Sequence, residues 1–310
     1  MNRNLRMLDG RYRGTHLGSR VQYLDPSGMY VGPAGGKGKC WFVDSTATSL
    51  GDGTAWDRPF LTITDAYAAA AAGDTIYISG SFLTEAAITC SKAGLSFVGV
   101  GNAQKQAQWS SATDTMTLTI AAAYVRVENI YFKPPTYTAG IPASIALSGA
   151  NYAQIIGNRF QGQTASWNAI YSAVCNSDNV TIAGNEFMYL NTATYGCAIL
   201  GVEAGGLSYS GWKIVGNTFE SCVKAVNING RVCLIEGNHF ATSGINAAGA
   251  GAAVAGAGYL DLSGTSSYGN LVHGNYLGGT YNATLYVAGA AGDDWAGNYN
   301  IAGITAANPA

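Results

Sequence analysis

Few residues of this chain could do acid–base chemistry: 18 Asp and Glu, 16 Lys and Arg, and three His among 310 residues. Cleaving a glycosidic bond takes two carboxyls about 5–10 Å apart. Glu128, Glu186, Glu236, Asp293 and Asp294 are the carboxyls whose surroundings repeat closely enough for their relative placement to be read. The histidines (His16, His239, His273) have no metal-ligand spacing, and no Ser/His/Asp arrangement can be assembled. The six cysteines (Cys40, Cys90, Cys175, Cys197, Cys222, Cys233) form neither a Cys-x-x-Cys pair nor a regular framework. Buried, reduced thiols are therefore expected rather than a metal centre or a disulfide scaffold. No Gly-rich phosphate loop stands between a strand and a helix. The expectation is no catalytic residue, no metal and no cofactor.

Stepping from these residues to the elements that carry them, one phrase recurs. Ile155-Ile156-Gly157-Asn158-Arg159-Phe160 returns as Ile182-Ala183-Gly184-Asn185-Glu186-Phe187, Ile214-Val215-Gly216-Asn217-Thr218-Phe219 and Ile235-Glu236-Gly237-Asn238-His239-Phe240. Weaker copies stand at Val272-His273-Gly274-Asn275-Tyr276-Leu277 and Trp295-Ala296-Gly297-Asn298-Tyr299, with an early variant over Val125–Phe132. Counted from Phe132 the steps are 28, 27, 32, 21, 37 and 23 residues. A period in the twenties that tolerates insertions means stacked coils with loops of varying length. A second phrase, Ala169-Ile170-Tyr171, Ala198-Ile199-Leu200, Ala225-Val226-Asn227 and Thr284-Leu285-Tyr286, gives each coil another short strand. Strands this far apart cannot be hairpin partners but can be parallel neighbours in a solenoid. Phe160, Phe187, Phe219 and Phe240 are expected along one interior line, and Asn158, Asn185, Asn217, Asn238 and Asn275 in tight turns. There each Asn would take a left-handed backbone and bond to the next coil.

The repeat then tests the carboxyls. The column before the Gly holds Glu128 and Glu236 four rungs apart, roughly 19 Å by strand spacing. The column after the Asn reads Tyr131, Arg159, Glu186, Thr218, His239, Tyr276, Tyr299, so Arg159 and Glu186 should form a surface ion pair. No column supplies two acids close enough to act as a pair. Trp167, Trp212, Trp295 and the outward tyrosines could stack on sugars, although packing or subunit contact is the expected use.

Only 11% of the residues are charged, against about a quarter in ordinary domains. No apolar run reaches membrane-spanning length, and Met1–Arg6 lacks a signal-peptide core, so manufacture in a cytoplasm is expected. Residues 1–40 carry seven basic and two acidic side chains, a net of +5, whereas 41–310 carry nine and 16, a net of −7. This basic, glycine-punctuated stretch reads as an extended arm. Its Arg3, Arg6, Arg11, Tyr12, Arg13, Arg20, Tyr23 and Tyr30 are the candidates for docking on a partner. The acidic body argues against nucleic acid as that partner. Residues 41–310 form the repeat domain. Within it, Thr62-x-x-Asp65 starts a helix over about 62–73, with Gly73 as its C-terminal glycine and the first strand opening at Thr75. The Gly/Ala run from Gly244 to Gly258 reads as a loop.

The Ile-x-Gly-Asn-x-Phe coils of about residues 40–305 resemble the right-handed parallel β-helix superfamily of pectin and pectate lyases, polygalacturonases and phage tailspikes. The resemblance implies an all-β, single-stranded, right-handed solenoid with a short N-terminal capping helix. It leaves function open, since the fold carries lyases, hydrolases and inert virion parts. Gly292-Asp293-Asp294 is similar to one polygalacturonase motif, but the companion Asn-Thr-Asp, Gly-His-Gly and Arg-Ile-Lys motifs are missing, and a solvated turn is expected there. The leading expectation is a non-enzymatic phage virion protein: a homotrimeric capsid decoration, or cement, protein. It would be held by its arm on the major capsid protein or another virion protein. A small tailspike or fibre that binds or cleaves host polysaccharide is the alternative, and a free pectate-lyase-like enzyme stands third.

Overall fold

The computed structural model describes residues 23–24, 29–31, 37–101, 107–112, 115–133, 143–162, 168–188, 190, 197–202, 206–222, 224–241, 258–278 and 287–300. Three long sheets run the length of the molecule, of 12, nine and eight strands. Each coil contributes one strand to each sheet, which makes the chain a parallel β-helix.

The repeat read in the sequence is the register of the second sheet. Phe132 pairs with Phe160, then the partners run through Phe187, Phe219, Phe240, Leu277 and Asn300. The rings from Phe132 to Phe240 are fully buried and stack at 4.7–5.1 Å between centroids, within 7° of parallel. Trp109 continues the stack toward the N-terminal end, and Phe97 of the first sheet tilts against it. Each ring buries enough apolar surface to stabilise the coil by roughly 1.5–3 kcal/mol.

The repeated Gly-Asn step divides its labour between the two residues. Gly157, Gly184, Gly216, Gly237, Gly274 and Gly297 take the left-handed backbone, with φ of 62–63°. The following asparagines are buried and do not take the left-handed backbone, but they make the expected bonds to the next coil as a ladder. Asn158 donates from Nδ2 to Asn185 Oδ1 (3.1 Å), and that same oxygen accepts the Asn158 backbone N–H (2.9 Å). The pattern repeats from Asn185 to Asn217, Asn238, Asn275 and on to Asn298, one rung beyond the expected set. In the earliest copy Asn129 replaces the glycine and itself adopts φ 55°.

Three further expectations are corrected. The third-sheet line through Ile170, Ile199 and Val226 continues to Leu260 and Val287, not to Thr284-Leu285-Tyr286, which lies outside the described residues. The first sheet opens at Lys37–Asp44, one rung before Thr75–Ser79, so residues 37–40 belong to the sheet. The helix spans Ile63–Ala69 and stops short of 73. Ala70 turns extended, and the buried Asp74 carboxylate accepts from Ala71 N, Lys39 N and Trp41 Nε1 at 2.7–2.8 Å. Thr62 caps its start as expected, helped by Glu85, whose carboxylate accepts from the backbone N–H groups of Ile63 and Thr64. Lys92 Nζ donates to the carbonyls of Tyr67 and Ala70 at its other end.

Of the arm, Arg3, Arg6, Arg11, Tyr12, Arg13 and Arg20 lie outside the described residues. Tyr23–Leu24 and Met29–Val31 form an antiparallel pair that adds to the Lys37–Asp44 strand at the end of the first sheet. Most of the Gly/Ala run before Gly258–Asp261 also lies outside the described residues. Among the described residues no helix is long and apolar enough to cross a membrane.

Candidate functional site

The residues able to act on a partner lie on the outer faces of the sheets, where the alternation of strand side chains leaves every second position. On the second sheet the register matches the expected column: Tyr131, Arg159, Glu186, Thr218, His239, Tyr276, Tyr299. Arg159 is its hub. Its Nε lies 3.2 Å from Glu186 Oε2, close enough for an ion pair but without the angle of a hydrogen bond. Its Nη2 reaches Met188 Sδ at 3.2 Å, and its guanidinium lies 5.4 Å from the centre of the Tyr131 ring. Tyr131 in turn donates its hydroxyl to Gln161. Burial pushes the Tyr131 hydroxyl up from its ordinary value, partly opposed by Arg159 and reinforced by Glu186. Further along, His239 packs against Tyr276 at 5.0 Å.

Reading only down columns missed a diagonal. Met188 pairs with Glu220 and Glu186 with Thr218, so Glu220 stands one rung and two residues from Glu186. The strand spacing and rise put their Cα atoms about 8 Å apart, within the span of two hydrolytic carboxyls. The signal that finds this pair is the register combined with the two-residue alternation. The guanidinium of Arg159 reaches both Glu186 and Met188 from the preceding rung, the side away from Glu220.

On the first sheet, Arg126 closes on Glu128 at 2.8 Å and His273 on Asp294 at 3.1 Å. Asp293 is structural: its Oδ1 accepts from Asn270 N and Nδ2, and its Oδ2 from Ala290 N. The turn expected at Gly292 is present, with φ 75°. The third sheet presents Thr119, Ala146, Tyr171, Leu200, Asn227 and Asp261, a half-buried line with one acid.

Trp212, counted among the outward aromatics, is fully buried and donates Nε1 to Ser177 O at 2.6 Å. Trp295 is half-buried against the core, and Trp167 lies outside the described residues. All six cysteines are unbridged and five are buried. Burial pushes the thiols of Cys197 and Cys233 up to about 12 and raises those of Cys90 and Cys222. No group of three or more His, Cys, Asp or Glu able to hold a metal occurs among the described residues.

No protein-family model and no curated protein sequence matches the chain. Several solved structures do. A lacto-N-biosidase from Eubacterium ramulus overlays with a TM-score of 0.55 at 12% identity, covering 84% of this chain and 55% of its own. An alginate lyase from Paenibacillus sp. str. FPU-7 overlays at 0.52 and 15% identity, covering 76% and 93%. A rhamnogalacturonan lyase gives 0.46 at 15% identity, covering 88% and 65%. The chain therefore spans less than two thirds of the biosidase and of the rhamnogalacturonan lyase. Identities this low speak to fold alone, and that fold is the right-handed parallel β-helix.

Proposed function

We propose that this solenoid is a non-enzymatic structural protein of a phage virion: a homotrimeric decoration protein docked on the capsid through its basic N-terminal arm. The observation that supports it most is the way Arg159 spans Glu186 and Met188 across the outer face of the second sheet. A hydrolytic site needs two carboxyls facing one sugar. Here Arg159 is ion-paired with Glu186, so one of the two carboxyls is already engaged. The other outward pairs, Arg126 with Glu128 and His273 with Asp294, leave a low-charge surface suited to contact between chains. The opposite charges of arm and body favour an acidic docking surface, which is the natural partner for arginine forks.

The diagonal of Glu186 and Glu220 favours a second reading, a tailspike or fibre that binds or cleaves host polysaccharide. Tyr131, His239 and Tyr276 on the same face would stack on the chain. Incubation with a panel of acidic and neutral polysaccharides separates the two. The structural reading expects no new reducing ends and no unsaturated uronate. Turnover that is lost in Glu186→Gln or Glu220→Gln would replace it with the second.

A further inference from the structure

A line of turns just before the first-sheet strands holds one left-handed residue per rung: Gly73, Gly94, Tyr124, Tyr152, Asn179, Gly211, Val232, Gly269 and Gly292, with φ from 53° to 82°. The rungs interlock through backbone bonds of 2.8–3.1 Å, such as Gly94 N to Ala123 O, Tyr124 N to Asn151 O and Tyr152 N to Asp178 O. Glycine meets this geometry without steric conflict, and five of the nine rungs use it. Bulky side chains meet it only with strain. Tyr124 and Tyr152 are nevertheless there, 62% and 47% exposed, stacked at 5.0 Å and 6°. Their rings contribute nothing to the buried core, so burial does not explain why strained tyrosines occupy adjacent rungs. Strain kept without a packing return points to use.

The surroundings narrow that use. On the N-terminal side the next two rungs are Gly94 and Gly73. A Cβ built on Gly94 would meet only Gly73 backbone, at 3.6 Å or more, with no side chain within 4 Å of it. The amides of Asn151 and Asn176 lie on the opposite side, at and beyond the Tyr152 rung, where their Oδ1 atoms accept Asp178 N and Gly149 N. The charges closest in sequence are engaged: Arg126 with Glu128 and Gln154, Asp178 with Ser210 N, and Lys92 with the helix carbonyls. We infer that the Tyr124–Tyr152 stack is a binding platform for a neutral oligosaccharide, with a pyranose ring lying on Tyr124 over the Gly94 and Gly73 rungs. Ring stacking takes the apolar face of the sugar. The site is separate from the second-sheet face and does not depend on which particle, if any, carries the solenoid.

Saturation-transfer NMR with cellohexaose, maltohexaose and mannohexaose tests this, with polygalacturonate as the charged control. At least one neutral hexasaccharide should receive saturation in preference to polygalacturonate. Tyr124→Gly should weaken that binding by about tenfold or more while its Tm stays level or rises, because glycine suits φ 62°. Tyr124→Asn, which also tolerates this backbone, should behave alike and covers a folding failure of the first variant. Absence of binding to all three hexasaccharides, or unchanged affinity in both variants, would overturn the inference. So would a fall in oligomer mass in the variants, since the rings would then be a contact between copies of the chain.

Discussion

Phe187 lies between Phe160 and Phe219 at 5.0 and 4.8 Å, whereas its chain neighbour Glu186 faces outward beside Arg159. Phe187→Ala should therefore open a cavity costing roughly 3–5 kcal/mol, and Glu186→Ala should cost under about 1 kcal/mol. Urea unfolding of both variants checks this, and equal losses would contradict the register. The thiols offer a second residue-scale test. Cys197 and Cys233 are held at about 12 against an ordinary 9.0 by burial. Unfolded thiols ionise above about pH 9, and these folded ones stay protonated, so the folded state binds more protons and stability falls as pH rises through that window. Below it the thiols contribute no pH dependence. An Ellman titration of native protein near pH 8 should find half-exposed Cys175 reacting first, with buried Cys197, Cys222 and Cys233 reacting only on unfolding. Fast labelling of the latter three would show the core to be open.

At the scale of elements, Asp74 ties the first strand to the helix end by accepting Lys39 N, Trp41 Nε1 and Ala71 N. Asp74→Ala leaves three donors without that acceptor and should cost about 2–4 kcal/mol. Hydrogen exchange should quicken over Lys37–Asp44 and Ile63–Ala69 while the Phe160–Phe240 coils stay protected. Uniform loss of protection would mean that the end cap and the coils unfold as one unit. This latch was not legible in the sequence, because its partners are 33 and 35 residues from Asp74 and belong to no repeat. The second-sheet strands were legible because a three-residue offset from Gly to the buried ring holds through four successive coils despite insertions between them. The third-sheet strands follow loops of changing length, so a local likeness at Thr284-Leu285-Tyr286 could displace the true partner, Val287. The bond from each asparagine to the next coil was legible but its backbone was not: Gly and Asn are both turn formers, and only the coordinates assign the left-handed φ to the Gly. The Glu186–Glu220 diagonal needed both register and residue rise.

For the whole molecule, the Asn ladder and the ring stack make a stiff rod, with variety confined to its outer faces and ends. A rod of this kind suits assembly side by side, and a closed trimer would present three arms at once, multiplying a weak grip. Because the arm is basic and the body acidic, attachment to particles should weaken with added salt. The proposed role depends above all on attachment through the arm. Its most direct test is the number of copies rebinding to stripped particles, compared between the full chain and one starting at Lys37. The shortened chain loses the Tyr23–Leu24 and Met29–Val31 strands but keeps the whole Lys37–Asp44 rung, and circular dichroism should report the same β-rich fold. The prediction is that the full chain returns in a multiple of three, on the order of hundreds of copies per particle, and that the shortened chain stays in solution. Equal rebinding by the folded short chain, or failure of the full chain to rebind, would contradict it.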